Sequence, residues 1–352
     1  MGLMDFALAT KGADKASRLT IIGRHVSAVV RHMTFKKAMN LFRVELARFR
    51  GAEVVGGRPY ILKIESTNVC NLKCAYCYDN RRQPEEGERA YGRMSFADFQ
   101  KIFDEVGEYL FKINLYGFGE PFLFPETYEM IRYATDHNVG MGVSSNLNLK
   151  DEDAPRKIVE SGLEVLIFSC HGVSQEAYSQ FMVKGDRDLA FSTLAKVMEE
   201  KKRLGSNTPV IDWQYCVTSF NQKEIPLAKE KARELGVDVR FIQPFLPEGA
   251  RAEWYPKGQS PKPPPPRMGC SWPYRSAYIN YDGGLLPCCK DTRFLKNDFG
   301  NVISEGFAAV WNNDDYQSSR RLIKSPGDTS IECDTMCLEC PVVKPFRDKP
   351  NA

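Results

Sequence analysis

The sequence predicts an α/β fold in which parallel strands alternate with helices. Between Tyr60 and Pro247, six apolar, strand-like runs are separated by stretches with helical periodicity. Repeated strand–helix units of this kind are typical of a parallel sheet whose crossover connections are helices. We therefore expect a curved sheet, a partial (β/α)6 TIM-like barrel, as the centre of the molecule.

The elements of this barrel follow one another closely along the chain. The strand-like runs are Tyr60–Ile64, Ile113–Tyr116, Gly140–Val143, Val165–Phe168, Val210–Cys216 and Val239–Ile242. The helical stretches are Ser95–Leu110, Glu126–His137, Ala154–Ser161, Ala190–Leu204 and Lys223–Leu235. Ser95 is expected to cap its helix. Because a parallel sheet of this kind carries its chemistry at the carboxyl ends of the strands, the loops that follow each strand are the candidates for a site.

Residues 1–59 form a basic extension before the barrel. They contain eleven Lys/Arg and four Asp/Glu, a balance of +7. Two sets of apolar residues step by three and four, which predicts two amphipathic helices. These sets are Leu19, Ile22, Val26, Val29 and Met33, and then Phe35, Met39, Phe42, Leu46 and Phe49. A helical cap that packs on the barrel and a basic surface for membrane lipid or a partner both fit this pattern.

A second change of composition follows the barrel, which we place at 60–250. Residues 256–267 read PKGQSPKPPPPR, so 251–267 are expected to form a stiff linker. A cysteine-rich α+β module is predicted at 268–345, followed by a tail at 346–352. Its strand–turn–strand core is predicted from Ser276–Tyr281, the turn residues 282–284 and Leu285–Leu286.

The net charge, the length of the apolar runs and the cysteine spacing argue against several classes of protein. The 352 residues carry a net charge of only +3, which gives no indication of nucleic-acid binding. No apolar run approaches the roughly 18–20 residues that a membrane span needs, and the N-terminus has no signal-peptide pattern. The eleven cysteines cluster in spacings typical of metal sites rather than of a secreted disulfide framework. We expect a cytoplasmic protein, with peripheral membrane contact through residues 1–59 as an open alternative.

Three cysteines lie close together in the loop after the first strand. Cys70, Cys74 and Cys77 place three thiols within eight residues. Three thiolates can ligate three irons of a cubane iron–sulfur cluster and leave the fourth iron open, whereas a ferredoxin-type site supplies four. A structural zinc site is the main alternative, but it needs four protein ligands and no fourth cysteine is nearby.

This C-x3-C-x2-C spacing, with Tyr76 before the last cysteine, resembles the radical S-adenosylmethionine (SAM) family. The resemblance implies that the open iron chelates SAM and that one electron splits SAM into methionine and a 5′-deoxyadenosyl radical. Further motifs follow in the order the family has them. The run from Gly117 to Pro121, with Gly119 and Glu120, resembles the GGEP motif that lines the amino group of SAM, although Phe118 replaces the usual second glycine.

The resemblance assigns roles to two more loops. Ser144 and Asn146 follow the third strand, where the family places polar groups near the SAM carboxylate and ribose; turn formation alone is the alternative. Ser169 and His171 follow the fourth strand in a run similar to S-x-D-G, with His171 at the Asp position. His171 is a candidate proton donor or acceptor, or a loop histidine that bonds a neighbour.

The C-terminal module resembles a SPASM/Twitch extension, which holds auxiliary 4Fe–4S clusters. It has six cysteines, too few for two fully ligated clusters, so one auxiliary cluster is expected. The spacing is similar to that of Twitch sugar-alcohol dehydrogenases and implies the ligands Cys270, Cys288, Cys337 and Cys340. Cys289 and Cys333 are left over, as thiols beside the cluster or as substitute ligands. A zinc ribbon is the alternative for this module.

These motifs predict an enzyme that removes hydrogen from an unactivated C–H bond. An auxiliary cluster that accepts an electron favours net oxidation, an oxidoreductase, with a flavodoxin- or ferredoxin-like electron donor. The candidate proton acceptors are Asp291, His171 and Glu65. A non-enzymatic iron–sulfur electron carrier or scaffold is the alternative, although an open iron has no use in such a protein.

The sequence alone does not identify the substrate. The Twitch-like cysteine count favours a small molecule such as a sugar, cyclitol or nucleoside intermediate. A ribosomally synthesised peptide is the second option, weakened because residues 1–59 lack the strands of a fused leader-binding domain. A lipid-linked substrate, suggested by the basic amphipathic extension, is the third.

Overall fold

A computed structural model gives the structure of the chain. It describes residues 23, 26–27, 29–75, 77, 83–244, 251–256 and 270–347. The strands are β1 Ile61–Ile64, β2 Lys112–Leu115, β3 Gly140–Ser145, β4 Val165–Ser169, β5 Val210–Cys216, β6 Asp238–Ile242, β7 Ser276–Ile279 and β8 Leu285–Leu286.

Helices pack on the outside of the sheet, and further helices lie before the first strand and after the last one. Through the barrel they are α1 Phe35–Arg50, α2 Phe96–Val106, α3 Glu126–Asp136, α4 Ala154–Glu160, α5 Gln175–Phe181, α6 Arg187–Arg203 and α7 Ile225–Leu235. Toward the C-terminus they are α8 Arg251–Trp254, α9 Trp272–Arg275, α10 Phe307–Val310, α11 Asp314–Lys324 and α12 Lys344–Arg347.

All eight described strands belong to one open sheet. Its order is β6-β5-β4-β3-β2-β1-β7-β8, and every neighbouring pair is parallel except β7 and β8. Strands β1 to β6 are neighbours in sequence order, and each is joined to the next by a segment that contains at least one helix. The predicted fold class, an α/β partial barrel with a helical extension and a small C-terminal α+β module, is confirmed.

The predicted barrel elements agree with the structure to within a few residues. Ser95 accepts a hydrogen bond from the Asp98 amide, so it caps α2 as expected. Helices α5 and α11 were not predicted. Helix α5 is too short to show a clear apolar period, and α11 has a strongly polar exposed face. The proline-rich run 257–267 lies outside the described residues, and at 251–254 the chain forms the single turn α8.

The two faces of the sheet differ in polarity because side chains alternate along each strand. Toward the helices, each central strand presents apolar residues, among them Leu62, Ile113, Val143, Leu166 and Trp213. They pack against the apolar stripes of α2, α3, α4 and α6 in one continuous core. The alternate residues face the concave side, where the site lies.

The N-terminal extension closes the amino end of the barrel. Val44 and Ala47 of α1 pack with Tyr60, Phe111 and other residues that directly precede strands. Glu45 forms an ion pair with Arg275, the residue before β7. Upstream of α1, His32 hydrogen-bonds Asn138 and Glu164, which lie just before β3 and β4. The extension is therefore a helical cap on the barrel, as one of the two sequence interpretations proposed.

That cap has an unexpected orientation. Lys37 and Asn40 are buried on the side of α1 that faces the barrel, with Lys37 Nζ donating to the Asn138 carbonyl and Asn40 bonding the backbone of Arg58. Of the predicted apolar stripe, Phe35, Met39, Phe42 and Phe49 are exposed instead, and Leu46 is half-buried. Of the first predicted helix, residues 23, 26–27 and 29–31 are described and are helical.

Two buried arginines join the C-terminal module to the rest of the chain. Arg89 pairs with Asp282 and Asp298. Arg320 of α11 is fully buried and donates to three backbone carbonyls, those of Glu53, Pro273 and Trp311. If the module moved away from these carbonyls, the buried guanidinium would lose its acceptors and remain unpaired. Arg320 therefore holds the module against the rest of the chain.

We expect Arg320→Lys to destabilise the protein by about 3 kcal/mol, because an ammonium cannot reach the carbonyls that the planar guanidinium bonds. Urea unfolding followed by circular dichroism measures this change. Arg321→Lys is the matched control: Arg321 is exposed and pairs with Glu53, so a change of roughly 0.5 kcal/mol is expected. Equal effects of the two substitutions would contradict this description of Arg320.

Candidate radical SAM site

The three predicted cluster cysteines lie on one loop directly after β1. The loop is held from one side by backbone hydrogen bonds, from Lys73 to Val183 and from Ala75 to Phe181. Cys74 Sγ lies 3.8 Å from the sulfur of Met182. Burial raises the pKa of Cys70 to about 12, and negative charges on Glu120 and Cys77 would raise it further. Tyr76 lies outside the described residues.

The loop after β2 packs closely on the cluster loop. The Glu120 amide donates to the Val69 carbonyl at 2.9 Å. A Cβ on Gly119 would lie 2.3 Å from the Thr67 carbonyl oxygen, and one on Gly117 would lie 2.1 Å from the Glu65 carboxylate. Gly119 therefore lets two backbones approach closely, and Gly117 leaves room for the Glu65 carboxylate. The sequence motif thus places Glu120 immediately beside the segment that leads into Cys70.

Glu120 is a buried carboxyl group with backbone donors. Its Oε2 accepts from the Asn146 amide at 2.7 Å, and its Oε1 accepts from the Phe122 amide at 3.3 Å. Burial raises its pKa from 4.5 to about 7, while these hydrogen bonds oppose the rise. A cationic group placed beside Glu120 would favour the ionised form.

The loop after β3 contributes the other polar groups predicted from the sequence. Asn146 Nδ2 lies 3.7 Å from Cys70 Sγ and 3.0 Å from Asn71 Oδ1. Ser144 and Ser169, on the neighbouring strands β3 and β4, share a 2.9 Å hydrogen bond. The structure therefore gathers Cys70, Glu120, Asn146 and the two serines at the carboxyl ends of β1 to β4.

Two residues that support this region escaped prediction. Asn148 Nδ2 donates to the Tyr178 hydroxyl and Asn148 Oδ1 accepts from the Asp186 amide, while the Asn148 carbonyl accepts from Asn71. Asn148 thus ties the cluster loop to α5 and to the start of α6. The only signal for Asn148 in the sequence is its position two residues after Asn146, and a residue that merely forms a turn gives the same signal.

The concave face of the sheet is polar across its whole width. In register from β7 to β2, Tyr278, Lys63 and Asn114 lie side by side. On β4 to β6, Ser169, Gln214 and Arg240 lie side by side, and Arg240 bonds both Gln214 and Asp212. Lys63 Nζ lies 4.7 Å from the ring centre of Tyr116 and 5.6 Å from that of Tyr278. We call Lys63, Asn114, Ser144, Ser169, Gln214 and Arg240 the polar face.

The three predicted proton acceptors occupy different surroundings. Glu65 is buried and its Oε1 accepts from the Phe118 amide at 2.7 Å. His171 is buried, its Nδ1 accepts from the Cys216 amide at 3.2 Å, and burial lowers its pKa to about 4. Asp291 is exposed, has a left-handed backbone and pairs with Lys290. His171 is therefore neutral near pH 7 and hydrogen-bonded to a neighbour.

The cysteines of the C-terminal module also come together. Burial raises the pKa of Cys288, and charges on Cys289, Cys337 and Cys270 would raise it further. Cys337 has Cys340 and Cys333 as thiol neighbours, and burial raises its pKa to about 12. Cys289 is exposed, and Cys333 Sγ contacts Thr335 Oγ1 at 3.1 Å. The other thiols are therefore near enough to Cys288 and Cys337 to act on their ionisation, and Cys333 is among them.

Both sets of thiols have the chemistry that an iron–sulfur cluster needs. Cys70, Cys288 and Cys337, whose pKa values burial raises, are neutral by themselves, and iron would supply the positive charge that holds them as thiolates. Within the described residues, no three His, Cys, Asp or Glu side chains are arranged around a single metal ion. A 4Fe–4S cluster binds each thiolate to a different iron, so its ligands stand farther apart than those of a single ion.

Comparison with known families identifies both parts of the chain. Residues 64–212 match the radical SAM superfamily, and residues 270–341 match the iron–sulfur cluster-binding SPASM domain. The chain therefore has a radical SAM domain followed by a SPASM domain. A radical SAM domain implies SAM and a 4Fe–4S cluster as cofactors, and a SPASM domain implies auxiliary iron–sulfur binding.

Two relatives and one solved structure illustrate the range of similar proteins. The chain is 24% identical over 306 residues to a tungsten-containing aldehyde ferredoxin oxidoreductase cofactor-modifying protein of Pyrococcus furiosus, covering 75% of this chain and 84% of that one. It is 34% identical over 197 residues to the mycofactocin maturase MftC of Mycobacterium ulcerans, covering 55% of this chain and half of that protein. Streptococcus suis SuiB has the same fold, with a TM-score of 0.61 and 15% identity, over 98% of this chain and 80% of SuiB.

The burial of Glu120 predicts a pH-dependent stability. Between about pH 4.5 and 7 the folded chain holds a proton on Glu120 that the unfolded chain has lost, so folding is penalised increasingly as pH rises through this window. The penalty reaches about 3 kcal/mol above it. We expect the Tm of the wild type relative to Glu120→Gln to fall from about pH 5 to about pH 8.

Differential scanning calorimetry of the SAM-free protein measures this difference. Glu129→Gln is the control, because Glu129 lies exposed on α3 and its substitution is expected to leave the pH dependence unchanged. A difference between wild type and Glu120→Gln that is independent of pH would show that Glu120 ionises normally.

Proposed function

We propose that this radical SAM protein is an oxidoreductase that oxidises a hydroxyl-rich small molecule at an unactivated C–H bond. The observation that carries the proposal is the polar face. It offers ammonium, amide, hydroxyl and guanidinium groups from six strands, β1 to β6, and the first three of these strands lead into the loops of Cys70, Glu120 and Asn146. A sugar, cyclitol or nucleoside presents the complementary hydroxyl groups.

The proposed cofactor residues divide into two groups. Cys70, Cys74 and Cys77 would hold the cluster, with Asn146 beside Cys70, and Glu120 with Gly117 and Gly119 would hold the amino group of SAM. When bound, the cluster and SAM together supply a 5′-deoxyadenosyl radical. The chain's own contribution is to fix the loops after β1, β2 and β3 against one another, and so to orient what binds on the polar face.

Oxidation also requires a proton acceptor and an electron acceptor. Glu65 supports the first role best, because its carboxylate lies on the concave face, two residues beyond Lys63 on β1. Asp291 and His171 are the other candidates. His171 is a weak base, because burial lowers its pKa. An auxiliary cluster held by Cys270, Cys288, Cys337 and Cys340 would take the electron, with a flavodoxin- or ferredoxin-like protein as the donor for the first cluster.

Peptide modification is the second candidate function. It is favoured by the similarity to the maturase MftC and by the fold shared with SuiB, which has been solved with its precursor peptide SuiA. The polar face also suits a peptide that has hydroxyl or amide side chains. A lipid-linked substrate is the third candidate.

The first test separates binding of SAM from recognition of the substrate. Anaerobic incubation with dithionite and SAM should release 5′-deoxyadenosine, and a correct sugar or cyclitol substrate should raise that release. We expect Lys63→Met to keep the substrate-free release within about twofold and to lower the substrate-dependent release at least tenfold, because Lys63 contributes a hydrogen-bond donor worth roughly 1.5 kcal/mol or more.

Lys196→Met is the matched control, since Lys196 lies exposed on α6 and pairs with Glu152. Absence of 5′-deoxyadenosine from protein with full iron content would favour the electron-carrier or scaffold alternative. Stimulation by peptides and not by any polyol would replace the small-molecule proposal with the peptide one.

Iron content tests the proposed auxiliary ligands. Two 4Fe–4S clusters give about eight irons per chain, and the triple variant Cys70→Ala, Cys74→Ala, Cys77→Ala should retain about four. Cys340→Ala should also lower iron to about four, whereas Cys333→Ala and Cys289→Ala should keep about eight. A loss of iron in Cys333→Ala with none in Cys340→Ala would show that the ligand set is wrong, and about twelve irons in the wild type would show a second auxiliary cluster.

A further inference from the structure

The exposed side of α1 carries large apolar residues. Phe35 is 84% exposed, Phe42 62% and Phe49 86%. Their spacing of seven residues aligns them along one side of the helix over about 21 Å, and Met39 lies between them, 38% exposed. A helix on the surface of a globular protein usually turns its apolar stripe toward the core. Here that stripe is turned outward.

The helix is firmly held by its opposite side. Lys37 Nζ bonds the Asn138 carbonyl at 2.6 Å, Asn40 bonds the backbone of Arg58 twice, and Glu45 pairs with Arg275. These contacts fix the rotation of α1 about its axis. The outward stripe is therefore a stable feature of the fold.

The charges near the stripe are cationic. Arg43 and Arg50 are exposed on α1, and Lys36 is exposed with Glu108 as its partner. Glu45 is the only acid of α1, and Arg48, Arg275 and Tyr60 engage it. Upstream of α1, the apolar residues Val30 and Met33 are 71% and 42% exposed, so the apolar surface continues before the helix. An apolar surface with basic residues around it is complementary to an anionic, partly apolar surface.

We propose that the exposed side of α1, defined by Phe35, Met39, Phe42, Arg43, Phe49 and Arg50, docks on the surface of an anionic lipid bilayer. The phenylalanines lie along one side of the helix with the two arginines beside them, which is complementary to the acyl chains and anionic headgroups of a bilayer. Phe side chains that enter the interface, flanked by arginines near the headgroups, are typical of a helix that lies in the membrane plane.

This docking is peripheral. Within the described residues, the structure has no helix that is long and apolar enough to cross a bilayer. Burial of the three phenylalanines and the two arginine contacts would together give reversible binding that weakens as salt is added. The proposal does not depend on the reaction that the radical SAM site carries out.

Vesicle sedimentation of the full-length, cluster-loaded protein tests the proposal. We expect binding to phosphatidylcholine vesicles that contain phosphatidylglycerol, and much weaker binding to phosphatidylcholine alone. The triple variant Phe35→Ser, Phe42→Ser, Phe49→Ser should bind at least roughly tenfold more weakly. Arg43→Glu with Arg50→Glu should lower binding to anionic vesicles and leave binding to neutral ones unchanged.

A matched control keeps the test specific. Leu123→Ser, Leu227→Ser, Leu295→Ser removes three other exposed apolar side chains and should bind vesicles like the wild type. Circular dichroism melting checks that each variant is folded. We expect all of them to fold, because the substituted side chains are exposed and do not contribute to the core. Equal vesicle binding by wild type and the α1 triple variant would overturn the proposal. A third outcome is that the wild type does not bind vesicles but forms dimers in analytical ultracentrifugation, and that the α1 triple variant does not form them. That result would assign the exposed side of α1 to a second copy of the chain instead.

Discussion

The candidate site depends on one buried junction between three loops. The Glu120 amide donates to the Val69 carbonyl, and the Glu120 carboxyl accepts from the Asn146 amide. The loops after β1, β2 and β3 are joined in this way through a single residue. Removal of any of these bonds would leave a buried polar group unpaired, so the three loops are expected to move together or not at all. Val69 directly precedes Cys70, so this junction positions the start of the cluster loop.

The position of the junction explains why glycine occupies 117 and 119. Neither site has room for a Cβ, because Glu65 and the backbone of Thr67 lie against the loop. Phe118, between them, donates its amide to Glu65 and presents its carbonyl 3.8 Å from Cys77 Sγ. A side chain at 118 is compatible with this backbone path. The departure from two adjacent glycines therefore leaves the geometry of the loop intact.

The sequence allowed the parallel partial barrel and the three clustered thiols to be predicted, because each depends on local periodicity or spacing. Asn148 and Tyr178 could not be predicted, since their hydrogen bond joins loops that only the folded chain brings together. The orientation of α1 was also beyond reach. Periodicity shows that an apolar stripe exists, but the contacts of Lys37 and Asn40 with Asn138 and Arg58 decide which side meets the barrel.

The location of α1 has a consequence for the choice of substrate. Its neighbours Tyr60, Phe111 and Arg275 directly precede β1, β2 and β7, so α1 lies at the amino end of the barrel. The cluster loop and Glu120 lie at the carboxyl end. A bilayer that contacts α1 would therefore face the closed end, and the site would open away from it. Such an arrangement brings the protein to a membrane surface without placing lipid at the site, which favours a water-soluble substrate over a lipid-linked one.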